Sequence, residues 1–255
     1  MTFQSKINTI FWYLRHPSYY IQLFNLIRQK IWGNPNENTR EEATNWCKSK
    51  SIGTHDYLYR LYGLDLQEVT DLYPSVFEAA RKASSKSPVK MGGPGNITLI
   101  YHICEYLKAN IVIETGEAYG WSTLALLLSM TKRKESRLIS IDLPYAKMDN
   151  EDYVGCVVAD DFKQNWELIR QPDRKALIGT LVKLEKLDMC HYDSDKTYAG
   201  RMWAYPKLWE KLREGGFFIS DDIGDNIAFK NFCSKIQKVP VVVRFQEQYV
   251  GIIQK

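Results

Sequence analysis

Five aspartates stand at or just after the ends of two apolar segments in the last third of the chain. They are Asp193 and Asp195 after the first segment, and Asp221, Asp222 and Asp225 at and after the second. Carboxylates held close together raise one another's pKa unless a cation lies between them. Oxygen ligands without a suitably placed cysteine or histidine pair favour Mg²⁺ or Mn²⁺ over zinc. The alternative is that these side chains cap the helices that follow.

Residues 111–130 contain a second group that can do chemistry. A β-branched run ends in Glu114, Gly116 and Gly120 follow, and Ser122 begins an apolar helical run. Glycines allow a sharp bend and the close approach of a ligand, while the start of a helix presents unpaired N–H groups. The pattern therefore predicts a strand, a turn and a helix that can hold a nucleotide-like ligand. A turn without any ligand is the alternative.

The spacing of this turn carries a resemblance to a known family. The segment Glu114-x-Gly116-x-Ala118-x-Gly120 resembles the first motif of class I S-adenosylmethionine-dependent methyltransferases, E/D-x-G-x-G-x-G. Ala118 stands where the family usually has a glycine. The aromatic residue and the serine after the last glycine are similar to those of catechol-type O-methyltransferases. The dinucleotide fingerprint G-x-G-x-x-G is not matched, which argues against an NAD-dependent oxidoreductase.

The resemblance implies S-adenosylmethionine as the cofactor. The residues that we assign to it are Met91, Gly92, Glu114, Gly116, Tyr119, Gly120, Ser122, Asp142 and Asp173. Asp142 ends the second predicted strand, where a carboxylate can accept both ribose hydroxyls, unless it only caps the turn before a proline. In the family, a loop like 91–96 covers the methionine part of the cofactor, and the position of Asp173 lies near the adenine amino group. An ordinary connecting loop is the alternative for 91–96.

The resemblance also implies a metal site. In catechol-type enzymes an aspartate after the fourth strand and an Asp-Asn pair after the fifth bind the metal. Asp193, Asp221 and Asp222 match these positions, and Asp222 replaces the asparagine, which adds a charge. The predicted ligands of Mg²⁺ or Mn²⁺ are therefore these three carboxylates.

Lys196, Asp193 and His191 form the predicted catalytic set. Lys196 matches the lysine that takes the proton from the attacking hydroxyl in catechol-type enzymes. It can act as a base only if burial or a neighbouring cation lowers its pKa, and a simple ion pair with Asp195 is the alternative. We expect His191 to lie in the core, with base catalysis as the second possibility.

The elements that must position these residues alternate between strand and helix. This alternation, together with the resemblance over residues 91–255, predicts an α/β fold: a Rossmann-like, seven-stranded, mostly parallel sheet. Residues 239–246 and 249–254 are two strands too close together for a crossover, so we expect an antiparallel C-terminal hairpin. Earlier in the chain we predict strands at 166–171 and 217–222, with a helix before the second of them that ends at Gly215 and Gly216.

Residues 1–90 form a predicted N-terminal helical segment before the methyltransferase domain of residues 91–255. Helices are expected at 41–61 and 66–84. An aromatic and aliphatic stripe in residues 18–32 predicts an amphipathic helix. It can pack on the main domain or form a homodimer, and peripheral contact with a membrane surface is the alternative.

Composition limits the classes of partner. A net charge of +4 over 255 residues is too small and too dispersed to favour nucleic acid. Five scattered cysteines indicate reduced thiols of a cytoplasmic protein. The sequence shows neither a membrane-spanning apolar run nor a signal peptide.

These features together predict a methyltransferase that acts on a hydroxyl of a small molecule, such as a sugar or a natural product, with help from a divalent metal. A methyltransferase-like binding module without catalysis and an NAD-dependent oxidoreductase are the alternatives.

Overall fold

The computed structural model describes residues 38–143 and 151–255, together with positions 12, 13, 15–17, 20, 23, 24, 27 and 36. Eight strands form one sheet in this part of the chain. They are β1 (Ser51–Gly53), β2 (Ile111–Thr115), β3 (Arg137–Asp142), β4 (Trp166–Arg170), β5 (Leu187–Tyr192), β6 (Leu212–Ser220), β7 (Val241–Phe245) and β8 (Gln248–Gln254).

The helices connect and cover these strands. They are α1 (Arg40–Lys50), α2 (Thr54–Tyr62), α3 (Val69–Leu72), α4 (Pro74–Ser84), α5 (Ile97–Leu107), α6 (Trp121–Met130), α7 (Asp173–Leu181), α8 (Tyr198–Lys211) and α9 (Ala228–Lys235). Two short 3₁₀ helices, Glu151–Tyr153 and Asp160–Asn165, precede β4. Asn96 caps α5 by accepting a hydrogen bond from the Leu99 amide.

The strand order is β1-β7-β8-β6-β5-β2-β3-β4. The pairs formed by β2 to β6 are parallel, and β8 runs antiparallel to both β6 and β7. The predicted Rossmann-like fold with a C-terminal hairpin is confirmed. The order reverses between β2 and β5, and such switch points open a crevice at the carboxyl ends of the strands.

Several boundaries differ from the prediction, and the helix expected at 66–84 is divided into α3 and α4. The eighth strand, β1, interrupts the helix expected at 41–61 and pairs in parallel with β7, with Ile52 opposite Val243. Helix α8 ends at Lys211 rather than at the glycines, and Gly215 and Gly216 lie within β6. The β5–β6 register shifts at this point, which lets the extra residues of β6 bulge beside β5.

The sheet is buried on both faces. Val112 of β2 packs into a cluster with α5 and α6, whereas the adjacent Ile113 packs into a second cluster with α8 and α9. Side chains before residue 90, including Leu58 and Phe77, belong to the first cluster. The N-terminal helices thus share a core with the sheet, and the domain boundary at residue 90 stays a prediction.

The expected amphipathic helix at 18–32 lies largely outside the described residues. In the described part of the chain, no helix is both long enough and apolar enough to cross a membrane.

Gly251→Ala tests the packing of the C-terminal hairpin. A Cβ at Gly251 would collide with the buried ring of Phe229, so we expect a loss of roughly 1–3 kcal/mol in the free energy of unfolding. Urea denaturation measures it. The matched control is Gly179→Ala in α7, where an added Cβ meets no atom within 4 Å. Equal stability of the two variants would contradict the packing described here.

Candidate active site

A cavity of about 520 Å³ opens at the carboxyl ends of β2, β5 and β6. Three groups of residues line it. The loop before α5 contributes Met91, Gly92, Gly93, Pro94 and Gly95, and the turn after β2 contributes Gly116, Glu117, Ala118, Trp121 and Ser122. The strand ends and the hairpin contribute His191, Asp193, Ser194, Lys196, Asp221, Asp222, Phe245, Gln246 and Gln248, and Ile100 of α5 also lines the cavity.

The turn after β2 is tight at Gly116. Its φ is +86°, and its amide donates a 2.8 Å hydrogen bond to the Ile141 carbonyl of β3. A Cβ there would lie 2.5 Å from the Asp193 carbonyl oxygen, so only glycine lets this turn approach the end of β5. Ala118, which replaces the usual glycine of the motif, also adopts a left-handed conformation with φ +48°.

Glu114 and Glu117 lie buried on either side of one hydroxyl group. The Thr123 hydroxyl contacts Glu114 and lies 2.6 Å from Oε2 of Glu117, while the Ser140 hydroxyl donates a 3.0 Å bond to Glu114. Burial, followed by the charge of Glu114, raises the pKa of Glu117 well above its usual value. Since the Thr123 hydroxyl has one proton, a protonated Glu117 can donate to it while Thr123 donates to Glu114.

His191 is fully buried between two carboxylates from the neighbouring strands. Its Nδ1 lies 3.2 Å from Oε1 of Glu114, and its Nε2 lies 3.4 Å from Oδ2 of Asp221. Burial alone would lower the pKa of His191, but the Asp221 and Glu114 charges outweigh burial and raise it well above its usual value. His191 is therefore an imidazolium that lies in the core and also lines the cavity.

Lys196 lies at the cavity wall between two further carboxylates. Its Nζ is 3.1 Å from Oδ1 of Asp193 and also contacts Oδ2 of Asp222. Burial would lower the pKa of the Lys196 ammonium, but Asp193 and Asp222 raise it above its usual value. The condition for Lys196 to act as the base, a lowered pKa, is thus not met in this arrangement.

Asp193 has the proton affinity that a base at neutral pH needs. Burial, followed by the charge of Asp221, raises the pKa of the Asp193 carboxyl to about 7. Its Oδ1 lies beside the Lys196 ammonium, at 3.1 Å. Oδ1 of Asp221 is a buried atom that lacks a hydrogen-bond partner among the described residues.

The arrangement of cavity, turn and sheet has known counterparts. Residues 113–223 match the family described as a methyltransferase domain. An O-methyltransferase from Bacillus cereus, solved with S-adenosylhomocysteine, is 12% identical, aligns over 82% of this chain and 100% of its own, and has a TM-score of 0.56. The O-methyltransferase TomG from Streptomyces achromogenes, solved with S-adenosylmethionine, is 14% identical over 79% and 95% of the two chains, with a TM-score of 0.53. At these identities, the likeness to solved structures shows the fold.

Residues 113–223 therefore match a methyltransferase domain, and the fold is that of solved S-adenosylmethionine-dependent methyltransferases. The matched segment includes the motif turn, β5 and the end of β6, which form part of the cavity wall. A comparison with curated protein sequences found no match.

The structure places the predicted cofactor residues in two groups. Met91, Gly92, Gly116 and Ser122 line the cavity, whereas five lie outside the lining. One of these five, Gly120, directly precedes α6 with φ +90°. The other four lie outside the lining, each with a partner of its own: Glu114 with His191, Tyr119 with the Val89 carbonyl at 2.6 Å, Asp142 with Arg170, and Asp173 with Ser194. Cofactor binding by all nine residues stays a prediction.

Asp142, the predicted ribose acceptor, is covered by an arginine. Nη1 of Arg170 donates a 2.6 Å hydrogen bond to Oδ2 of Asp142, and the same guanidinium is bonded to Glu151. Burial raises the pKa of Asp142 to about 6 although Arg170 opposes the rise. Arg170 therefore occupies one of the two oxygens that a ribose would use on this carboxylate.

The three carboxylates predicted to bind Mg²⁺ or Mn²⁺ are not arranged as a metal site. Among the described residues, no group of three or more histidine, cysteine, aspartate or glutamate side chains could hold a metal ion. The Lys196 ammonium occupies the space between Asp193 and Asp222, and His191 lies against Asp221. Each carboxylate that the resemblance assigns to the metal already faces a cation of the protein.

Sequence reasoning missed two charged residues of the methyltransferase site. Glu117 lies inside the motif itself, and its place between the two glycines was a signal that it borders the cavity. Arg201, fully buried on α8, donates from Nη2 to the carbonyls of Asp221 and Asp222, at 3.2 and 2.9 Å. No local pattern marks Arg201, because its partners are 20 and 21 residues away.

Glu117→Gln tests the protonation of this buried carboxyl. The folded state keeps a proton on Glu117 that the unfolded chain releases above the ordinary pKa of 4.5. Its contribution to stability is thus complete below that pKa and is lost as pH rises toward the raised folded-state pKa. Glutamine cannot lose the proton, so the free energy of unfolding should fall less between about pH 5 and pH 8 in the variant than in the wild type.

Denaturant unfolding at several pH values measures this difference. The control is Glu185→Gln, a change at an exposed glutamate away from the cavity, which should leave the wild-type slope intact. Parallel pH profiles for Glu117→Gln and the wild type would show that Glu117 is ionised in the folded protein.

Proposed function

We propose that this methyltransferase transfers the methyl group of S-adenosylmethionine to a hydroxyl oxygen of a small molecule. The observation that carries the proposal is the single cavity in which the motif turn and the Asp193–Lys196 pair face one another. Two solved O-methyltransferases and one further methyltransferase with this fold contain the cofactor or its demethylated product. This supports the same cofactor here.

The cofactor fits the half of the cavity formed by the glycine-rich loop and the motif turn. Gly93 and Gly116 bring backbone close to that space, and the amino-terminal end of α6 lies beside it at Trp121 and Ser122. The cofactor carries a sulfonium cation, and acidic side chains on the opposite wall favour a positive charge. Asp193, Asp221 and Asp222 are the aspartates of that wall.

Asp193 is the base in the proposed reaction. The acceptor hydroxyl donates a hydrogen bond to the Asp193 carboxylate, beside the Lys196 ammonium, and its oxygen attacks the methyl carbon. The O–C bond forms as the C–S bond breaks, the electron pair of that bond goes to sulfur, and the hydroxyl proton passes to Asp193. A carboxyl with a pKa of about 7 can accept this proton near neutral pH.

Lys196 has a different part in this reaction from the one that the resemblance implies. Because its pKa is raised, it stays an ammonium and stabilises negative charge on the acceptor oxygen as the proton leaves. Most of the rate enhancement then comes from alignment of the methyl group, the hydroxyl and Asp193.

The neighbouring surface favours a polar acceptor such as a sugar over an apolar natural product. A second cavity of about 490 Å³ shares Lys196, Asp222 and Gln248 with the first. Its remaining walls are Arg40, Thr44, Gly224, Asp225, Glu247 and Tyr249. These groups offer hydrogen bonds on all sides and one aromatic ring, which suits a polyhydroxylated molecule.

The remaining sequence-based predictions stay proposals of the same kind. They are a cytoplasmic location, a helical segment at 1–90 before the methyltransferase domain, and a homodimer or a membrane contact through residues 18–32. Metal assistance is not part of the proposed reaction, because cations of the chain already face the three carboxylates.

Asp193→Asn tests the proposed base. Asparagine keeps the shape of the side chain but cannot take a proton, so we expect kcat for methyl transfer to fall roughly 10²–10⁴-fold. The readout is transfer of a labelled methyl group to a panel of monosaccharides and phenols. Calorimetry with S-adenosylhomocysteine should show product affinity within a few-fold of the wild type.

Asp161→Asn is the matched control, since Asp161 is an exposed acid that lines neither cavity. It should keep kcat near the wild-type value. Unchanged turnover in Asp193→Asn would remove Asp193 as the base. Failure of the wild type to bind S-adenosylhomocysteine would remove the methyl-transfer proposal and favour a binding module.

A further inference from the structure

Four carboxylates lie close together at the cavity wall and directly behind it. Three of them are the carboxylates that the resemblance assigns to a metal. Glu114 is the penultimate residue of β2, Asp193 follows β5, and Asp221 and Asp222 follow β6. Carboxylates in a poorly hydrated site require positive charge nearby, because burying unpaired charge costs several kcal/mol per ion. The source of that positive charge decides what kind of site this is.

His191 and Lys196 pair with all four of these carboxylates. His191 spans Glu114 and Asp221, with distances of 3.2 and 3.4 Å from its two ring nitrogens. Lys196 spans Asp193 and Asp222. Each cation thus lies between one acid of β2 or the end of β5 and one acid that follows β6. A bound metal ion would otherwise link these acids.

Arg201 adds a third cation beneath the same loop. Its side chain is fully buried, and Nη2 bonds to the carbonyls of Asp221 and Asp222. Within the described part of the chain, Nε and Nη1 of this guanidinium have no hydrogen-bond partner. Its positive charge is therefore directed at the loop that carries the two aspartates. Asp222 has a left-handed backbone there, with φ +52°, which these bonds help to hold.

We infer that His191, Lys196 and Arg201 are resident counter-cations for these four carboxylates, and that the site works without a divalent metal ion. The catalytic part of this inference rests on the proposed methyl transfer, whereas the binding part does not. His191 and Arg201 act as positioning residues, since they hold Asp221 and Asp222 in place. Lys196 lies at the cavity wall and takes the electrostatic place of the metal.

Titration with Mn²⁺ tests the binding part directly, with the loss of the free-Mn²⁺ electron paramagnetic resonance signal as the readout. The wild-type protein should leave the signal unchanged at millimolar Mn²⁺. In Lys196→Met, which releases Asp193 and Asp222 from their cation, Mn²⁺ binding should appear and exceed that of the wild type roughly tenfold or more. A merely structural role for Lys196 would not create a metal site.

Lys132→Met is the matched control. Lys132 is about as exposed as Lys196, at 48% and 43% of the side chain, and it also pairs with an acid, Glu105, but far from the cavity. This variant should bind Mn²⁺ no better than the wild type. The inference would be overturned if the wild type bound Mn²⁺ saturably and Lys196→Met left this binding unchanged or weakened it.

A second measurement separates this inference from the proposed function. Wild-type protein treated with a chelator should bind S-adenosylhomocysteine and retain its methyl-transfer rate within about twofold, with or without added Mg²⁺. Cofactor binding together with turnover that requires Mg²⁺ would overturn the inference and leave methyl transfer intact. Absence of cofactor binding in every buffer would instead overturn the proposed function.

Discussion

The structure depends on one buried interaction, the imidazolium of His191 held between Glu114 and Asp221. It joins three adjacent strands at the same level of the sheet. Glu114 lies directly opposite His191 in the β2–β5 pair, and Asp221 comes one residue after Ser220, the last residue of β6. The strand register therefore decides which charges meet, and a slip of one residue would turn His191 to the opposite face.

This constraint sets how protons are distributed around the cavity. His191 and Lys196 keep their protons because carboxylates surround them, and Glu117 keeps one because it is buried beside Glu114. Asp193, whose pKa is raised to about 7, is the carboxyl that we propose as the base. In this proposal the other charges orient the groups and Asp193 takes the proton, a division of roles that burial and neighbouring charges commonly produce.

Much of the fold could be predicted because its signals are local. The β-branched run of β2, the glycines after it and the short connection between β7 and β8 each specify their own structure. Strand β1 could not be found this way, since its three residues lie between two helical segments and pair with a strand about 190 positions later. The bulge of β6 at Gly215 and Gly216 likewise depends on its neighbour β5.

The candidate site was predictable in its residue types but not in its pairings. The sequence places Asp193, Asp221 and Asp222 at strand ends, and all three line the cavity. It does not show that His191 lies between Glu114, 77 residues earlier, and Asp221, 30 residues later. Nor does it show that Lys196 lies between Asp193 and Asp222. Those pairings decide whether the carboxylates bind a metal or the protein's own cations, and they arise only when the sheet assembles.

The most direct test of this account is the protonation state of His191, measured by nuclear magnetic resonance of protein labelled with ¹⁵N in its four histidines. The His191 signals can be assigned by their absence in His191→Gln. The account predicts an imidazolium with protons on both ring nitrogens at neutral pH. A neutral ring, with one nitrogen unprotonated, would contradict it.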